Sequence, residues 1–178
     1  MISRLKETPA CGKIDLLKEI WDLPRIGKAL PEVLKALSCQ KDRERFLELW
    51  DTEAIGQLAP SVWVQAVKLL PEGSRKTQLR RYPWASADAK ALLEAVQGLK
   101  GEEERLDFVL GNDEDPPIAL GNIGATGFLD LVSICGLSQT RVSQLGKRGQ
   151  RERAQKLQAL VALLTDEAVR SWGKARTG

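Results

Sequence analysis

The amino-acid sequence predicts an all-α protein of stacked helical hairpins, either α-solenoid-like or an irregular helical bundle, with a C-terminal helical extension. Three observations predict it. Leu, Ala, Glu, Lys and Arg dominate, and no stretch alternates with period two. Pro and Gly punctuate the chain at intervals that leave room for short helices. The third observation is an internal repeat. Residues 19–33, EIWDLPRIGKALPEV, return at 48–62 as ELWDTEAIGQLAPSV, with seven of fifteen positions identical at an offset of 29. The shared positions are Glu19/Glu48, Trp21/Trp50, Asp22/Asp51, Ile26/Ile55, Gly27/Gly56, Pro31/Pro60 and Val33/Val62. A period of about 20–50 residues marks stacked supersecondary units, each with too little apolar face to stand alone.

Taken in order, residues 1–11 form a flexible leader. A helix follows over 13–22 with Ile14, Leu17, Ile20 and Trp21 on one face, and Leu23-Pro24 breaks it. Pro31 opens a helix to Leu37, because proline suits the first helical turn. The unit then repeats: a helix over 43–50, a connection over 51–59 carrying Ile55-Gly56, and a helix from Pro60 to Leu70. Ser74 caps a basic helix, SRKTQLRRY, and Ser86 or Asp88 caps one that runs to Val96. Glu102–Leu110 carries acids in its first turn, which suits the helix dipole. The run GNDEDPP at 111–117 must be a loop.

After that loop the pattern of the opening unit returns once more. At an offset of 65, Ile55, Gly56, Leu58, Trp63, Val64, Val67 and Leu69 fall on Leu120, Gly121, Ile123, Phe128, Leu129, Val132 and Ile134. Before the loop, an offset of 60 sets Arg45, Phe46 and Leu49 on Arg105, Leu106 and Val109, so that an insertion within GNDEDPP accounts for the five-residue difference between the offsets. The resulting hairpins are 13–37, 43–70, 75–97 and 102–135. A helix over 151–164 with Leu157, Leu160, Val161 and Leu164 on one stripe begins the extension. The expected organisation is one all-helical domain over 12–173, with sub-lobes at 12–98 and 101–173, and a frayed tail at 174–178.

Charge is uneven. The net charge is +3, but residues from Gln139 onward hold nine basic side chains and three acidic ones. A basic end on a slightly acidic body points either to an anionic partner or to a solvated helix face. Cys11, Cys39 and Cys135 are scattered, and the N-terminus lacks an apolar signal core, so a reducing cytoplasmic setting is expected. No apolar run approaches the roughly 18 residues of a membrane span.

Histidine is absent from the chain. That removes the usual general base, the usual zinc ligand and every Ser-His or Cys-His pair. Gly121, Gly124 and Gly127 lack the dinucleotide-binding spacing, and the acidic clusters 102–104 and 113–115 lack the spacing of a calcium loop. Ser38-x-x-Lys41 and Ser171-x-x-Lys174 lack the companion motifs of acyl-transfer enzymes. The expectation is a protein with no catalytic residues, no metal and no cofactor.

The sharpest local motif is FLDLVSICGLSQTRVSQLGK at 128–147. It resembles the DNA-binding helix-turn-helix of many bacterial repressors and sigma factors. Gly136 matches the turn glycine, Ser138 the cap of the second helix, and Leu131, Cys135, Leu137, Val142 and Leu145 the buried offsets. The resemblance implies that Gln139, Thr140, Arg141, Ser143 and Gln144 face a major groove, with Lys147, Arg148, Arg151 and Arg153 on phosphates. The chain departs from the motif at Val132, where alanine is usual, and in a first helix made apolar nearly all round by Phe128, Leu129 and Ile134. The same stretch also reads as one more repeat hairpin. Two further surfaces enter from the residues alone: Arg75, Lys76, Arg80 and Arg81 beside Tyr82 and Trp84, which is a single-strand-binding pattern, and a groove lined by the five tryptophans.

These readings converge on a non-enzymatic helical interaction module, an adaptor or scaffold for another protein, with a DNA-binding regulator as the alternative.

Overall fold

The computed structural model describes residues 26–37, 39–112, 115–120, 123–137 and 147–163. Among them the ordered elements are helices and turns, with no β-strand, so the all-α class holds. The chain divides into two compact units, Met1–Tyr82 and Pro83–Gly178.

The first unit contains a 3-10 turn at Gly27–Ala29 followed by α1 (Leu30–Ala36), α2 (Gln40–Glu48), α3 (Thr52–Gly56), α4 (Pro60–Val67) and α5 (Glu72–Arg80). Pro31 and Pro60 both sit in the first turn of their helices, where the missing N–H costs nothing. The two proline-opened helices, which carry the 29-residue repeat, pack against each other. Ile26 and Ile55 are both buried, as are Leu34 and Trp63. The connection expected over 51–59 contains a helical turn of its own. Asp51 nucleates it by accepting the Ala54 N–H at 2.8 Å. Helix α5 packs on α4, and the Trp63 indole donates to the Gln78 carbonyl at 3.2 Å. Ser74 does not cap α5, which begins at Glu72; its hydroxyl meets the Glu44 carboxylate instead.

The second unit contains a 3-10 turn at Trp84–Ser86, then α6 (Ala89–Gln97), α7 (Gly101–Leu110), α8 (Gly124–Ile134) and α9 (Lys147–Ala162). Asp88 supplies the cap of α6, accepting the Ala91 N–H at 2.7 Å. Helix α6 packs on α7 and α8, and α9 packs on α7. The two helices expected to share a hairpin over 75–97, α5 and α6, therefore belong to different units.

The two units are built on one template. Arg43 donates from Nε to the Leu37 carbonyl at 2.9 Å and from Nη1 to the Leu69 carbonyl at 3.2 Å. Arg105 donates from Nε to the Leu99 carbonyl at 3.2 Å and from Nη1 to the Ile134 carbonyl at 3.0 Å. Each arginine ties the end of the first helix of its unit to the end of the helix that packs on it. The carbonyls at a helix C-terminus have no intrahelical partner, and a guanidinium satisfies them with charge as well as hydrogen bonds. The braces align α1 and α2 with α6 and α7 at an offset of 62, and α4 with α8 at 65. Phe46 and Phe108 then coincide in the two cores, as do Leu47 and Val109, all fully buried.

This corrects the register expected before the loop. An offset of 60 pairs Arg45 with Arg105, but Arg45 is solvent-exposed and Arg43 is the brace. The loop over 111–117 thus adds three residues rather than five. The register of 65 after the loop stands: Trp63 and Phe128, and Val67 and Val132, are buried at matching positions.

Candidate interaction surfaces

The basic–aromatic segment after α4 is structural. Arg75 donates to the Leu70 and Lys68 carbonyls at 3.0 and 3.1 Å, closing the end of α4. Arg81 reaches the Leu47 carbonyl at 2.9 Å, the Gln78 side-chain oxygen at 2.8 Å and the Trp50 carbonyl. Burial lowers the Arg81 pKa, and the nearby Glu48 and Asp51 carboxylates partly oppose that shift. Tyr82 is buried and donates its hydroxyl to the Leu58 carbonyl at 2.9 Å. Trp84 is buried edge-on to Phe108, with ring centroids 6.0 Å apart. Neither ring is available to stack on a nucleotide base, which removes the single-strand reading of this segment.

The tryptophan-lined groove meets the same objection. Trp50, Trp63 and Trp84 are core residues, and Phe46 packs edge-on to Trp50 at 5.6 Å. Trp21 and Trp172 lie outside the described residues.

The first half of the helix-turn-helix resemblance falls in α8. Its C-terminus is closed by Gly136 at φ +72°, with the Gly136 N–H on the Ser133 carbonyl at 3.0 Å and the Leu137 N–H on the Val132 carbonyl at 2.9 Å. That pair of bonds is a Schellman closure, which needs a left-handed residue at Gly136. A Cβ at this position would also collide with the Glu102 carboxylate. Leu131, Cys135 and Leu137 are buried at the offsets the resemblance requires. Burial pushes the Cys135 thiol up to about 12, against an opposing pull from Arg105.

The groove-facing positions Gln139, Thr140, Arg141, Ser143 and Gln144 lie outside the described residues, as do Val142 and Leu145. Lys147, Arg148, Arg151 and Arg153 fall on the first half of α9, where Arg151 is exposed. Helix α9 starts earlier than the Arg151 expected from sequence.

Helix α8 is not apolar all round. Phe128 is buried, but Leu129 is 53% exposed, while its counterpart in the first unit, Val64, is 1% exposed. Thr126, Asp130 and Ser133 flank Leu129 on the solvent face. Helices α6 and α8 also line an open groove of about 490 Å³, to which Leu129 does not contribute. Its lining includes Ala89, Lys90, Leu93 and Glu94 from α6 with Gly127 and Asp130 from α8. Gly127 sets the close approach of the two helices, since a Cβ there would lie 3.1 Å from the Ala89 Cβ and 2.9 Å from Ile123 Cγ1. The polar residues Thr126, Asp130 and Ser133, at i−3, i+1 and i+4, mark the Leu129 face in the sequence, while the equivalent position in the first unit, Val64, points to burial.

Among the described residues no group of three or more His, Cys, Asp or Glu side chains is placed to hold a metal ion. No described helix is long and apolar enough to cross a membrane. Comparison of the chain with protein-family models, with curated proteins and with solved structures finds no match in any of the three.

Proposed function

We propose that the protein is a non-enzymatic helical interaction module that binds another protein through the solvent face of α8 in its second unit, in a cytoplasmic setting. The observation that carries this reading is Leu129. The template places a buried valine at the matching position of the first unit, yet the second unit presents a larger apolar side chain to solvent. A leucine surrounded by Thr126, Asp130 and Ser133 is an apolar anchor within a polar rim, which is the anatomy of a contact surface. The charges along the groove are of both signs, Lys90 against Glu94 and Asp130, and they favour a partner segment with an apolar contact and flanking charges.

The test is a pull-down with the tagged full chain and its Leu129→Asp variant, with folding of both checked by circular dichroism. A stoichiometric protein partner held by the parent chain and lost by the variant is expected. Recovery of nucleic acid without a stoichiometric protein refutes the reading, and so does undiminished capture by the folded variant.

A second reading, a DNA-binding regulator, is supported by the turn at Gly136 and by the three buried positions Leu131, Cys135 and Leu137. It expects duplex binding at about 50 mM salt that weakens steeply with ionic strength and falls in Arg141→Ala. Absence of duplex binding at that salt makes the motif a structural hairpin.

A further inference from the structure

Helix α9 packs on α7, and the two helices carry opposite charge. Helix α7 has Glu102, Glu103 and Glu104 in its first turn and Asp107 in its second. Its one basic residue, Arg105, is committed to the Leu99 and Ile134 carbonyls. Helix α9 bears Lys147, Arg148, Arg151, Arg153 and Lys156 against the single acid Glu152. Glu152 pairs with Lys156 at 3.0 Å, which leaves the basic excess toward the N-terminal half.

The apolar hold on α9 is slight. Of its residues whose burial is described, Leu160 alone is buried, Leu157 and Val161 are half-buried, and Arg151, Ala154, Gln155, Gln158 and Ala159 are exposed. Basic residues in the first turn also oppose the helix dipole. With Leu160 the one buried residue among those of α9 whose burial is described, the docked helix has little apolar surface to hold it and detaches at low free energy.

We propose that α9 is a displaceable basic arm that rests on the acidic helix α7 when docked and is taken from it by a nucleic-acid duplex. The inference shares its ligand class with the second reading above but does not need Gln139–Gln144 to enter a groove. Duplex phosphates compete with the α7 carboxylates for the same cations, and displacement of condensed counterions drives the exchange. Because the docked state withholds the arm, the apparent affinity equals the intrinsic affinity reduced by the undocked fraction.

The experiment measures duplex DNA binding by fluorescence anisotropy at about 50 mM salt for the full chain, for Leu160→Ala and for Glu102→Gln/Asp107→Asn. Amide hydrogen exchange over 147–162 is followed alongside. Both variants are expected to speed exchange in α9 and to bind duplex at least about tenfold more tightly than the parent chain. Duplex binding by the variants alone also supports the arm. Equal affinity in all three proteins, with faster exchange in α9, overturns the docked arm and leaves the DNA-binding reading standing. No binding by any of the three overturns both.

Discussion

Removing an arginine brace tests the two-unit template most directly. In Arg105→Ala the Leu99 and Ile134 carbonyls each lose a charged donor, at 3.2 and 3.0 Å. A hydrogen bond to a charged group contributes about 1.5–3 kcal/mol net. The site is half-exposed, so water replaces part of that, and about 1 kcal/mol per bond is a fair working value. The expected cost is therefore about 2 kcal/mol, near a 30-fold change in an opening equilibrium. Arg43→Ala removes bonds of 2.9 and 3.2 Å in the same arrangement and should cost the same. Arg45→Ala removes an exposed side chain and should stay within about 0.5 kcal/mol.

A chain of two units has no single unfolding free energy, so a global melt would blur the result. Hydrogen exchange resolved by peptide reads the units separately. Arg43→Ala should accelerate the slowest amides of 30–67, and Arg105→Ala those of 89–134. Arg43→Lys should recover about half the loss, since an ammonium keeps the charge but not the two-pronged fork. The reasoning is refuted if Arg45→Ala costs as much as Arg43→Ala, or if Arg105→Ala leaves exchange over 89–134 unchanged.

Three further outcomes follow from the geometry. Gly136→Ala should destabilise the second unit by at least about 1–2 kcal/mol, read by peptide-resolved hydrogen exchange over 89–134, from a left-handed backbone and the collision with the Glu102 carboxylate. Asp88→Ala removes the cap of α6 and should cost about 1 kcal/mol by the same assay. Cys135 should resist a thiol reagent at pH 8 in the folded chain while exposed Cys39 reacts. Because burial raises the Cys135 thiol from the ordinary 9.0 to about 12, its contribution to stability is full below pH 9 and is lost as pH rises toward 12. Cys135→Ala should flatten that alkaline decline.

Helix existence was legible because proline, glycine and capping aspartates act locally. Pro31, Pro60 and Asp88 each mark an expected helix start that the structure shows, whereas Asp51 caps a helical turn where a connection is expected. The register of the larger repeat was harder to read. The pattern Leu-x5-Arg-x2-Phe stands at Leu37–Phe46 and again at Leu99–Phe108, and it carries the brace and the core phenylalanine together. The competing match of Arg45 with Arg105 is one identity without a partner. An arginine's role depends on which carbonyls lie within reach, and those come from helices distant in sequence. The same limit applies to Tyr82 and Trp84. Residue type and periodicity favour burial or exposure on average, but the covering element decides each case.

Two units on one template separate what packing demands from what it leaves open. Arg43 and Arg105, Phe46 and Phe108, and Trp63 and Phe128 keep their roles because the template needs a brace and two large core side chains at those places. Val64 and Leu129 do not keep theirs: one is buried, the other faces solvent. Lys41 and Arg45 on α2 give way to Glu103 and Asp107 on α7, so a basic stripe becomes an acidic one on the same scaffold. The template does not need the acidic stripe for its braces or core. The unit that carries it also contains the basic helix α9, which packs on α7. Both departures, the exposed leucine on α8 and the reversed charge on α7, lie in the second unit, so the first unit supplies the reference against which binding by the second is to be measured. Grafting Lys41 and Arg45 onto the second unit, as Glu103→Lys/Asp107→Arg, should preserve its braces and core while raising hydrogen exchange in α9. If α9 stays protected, charge on α7 plays no part in holding it.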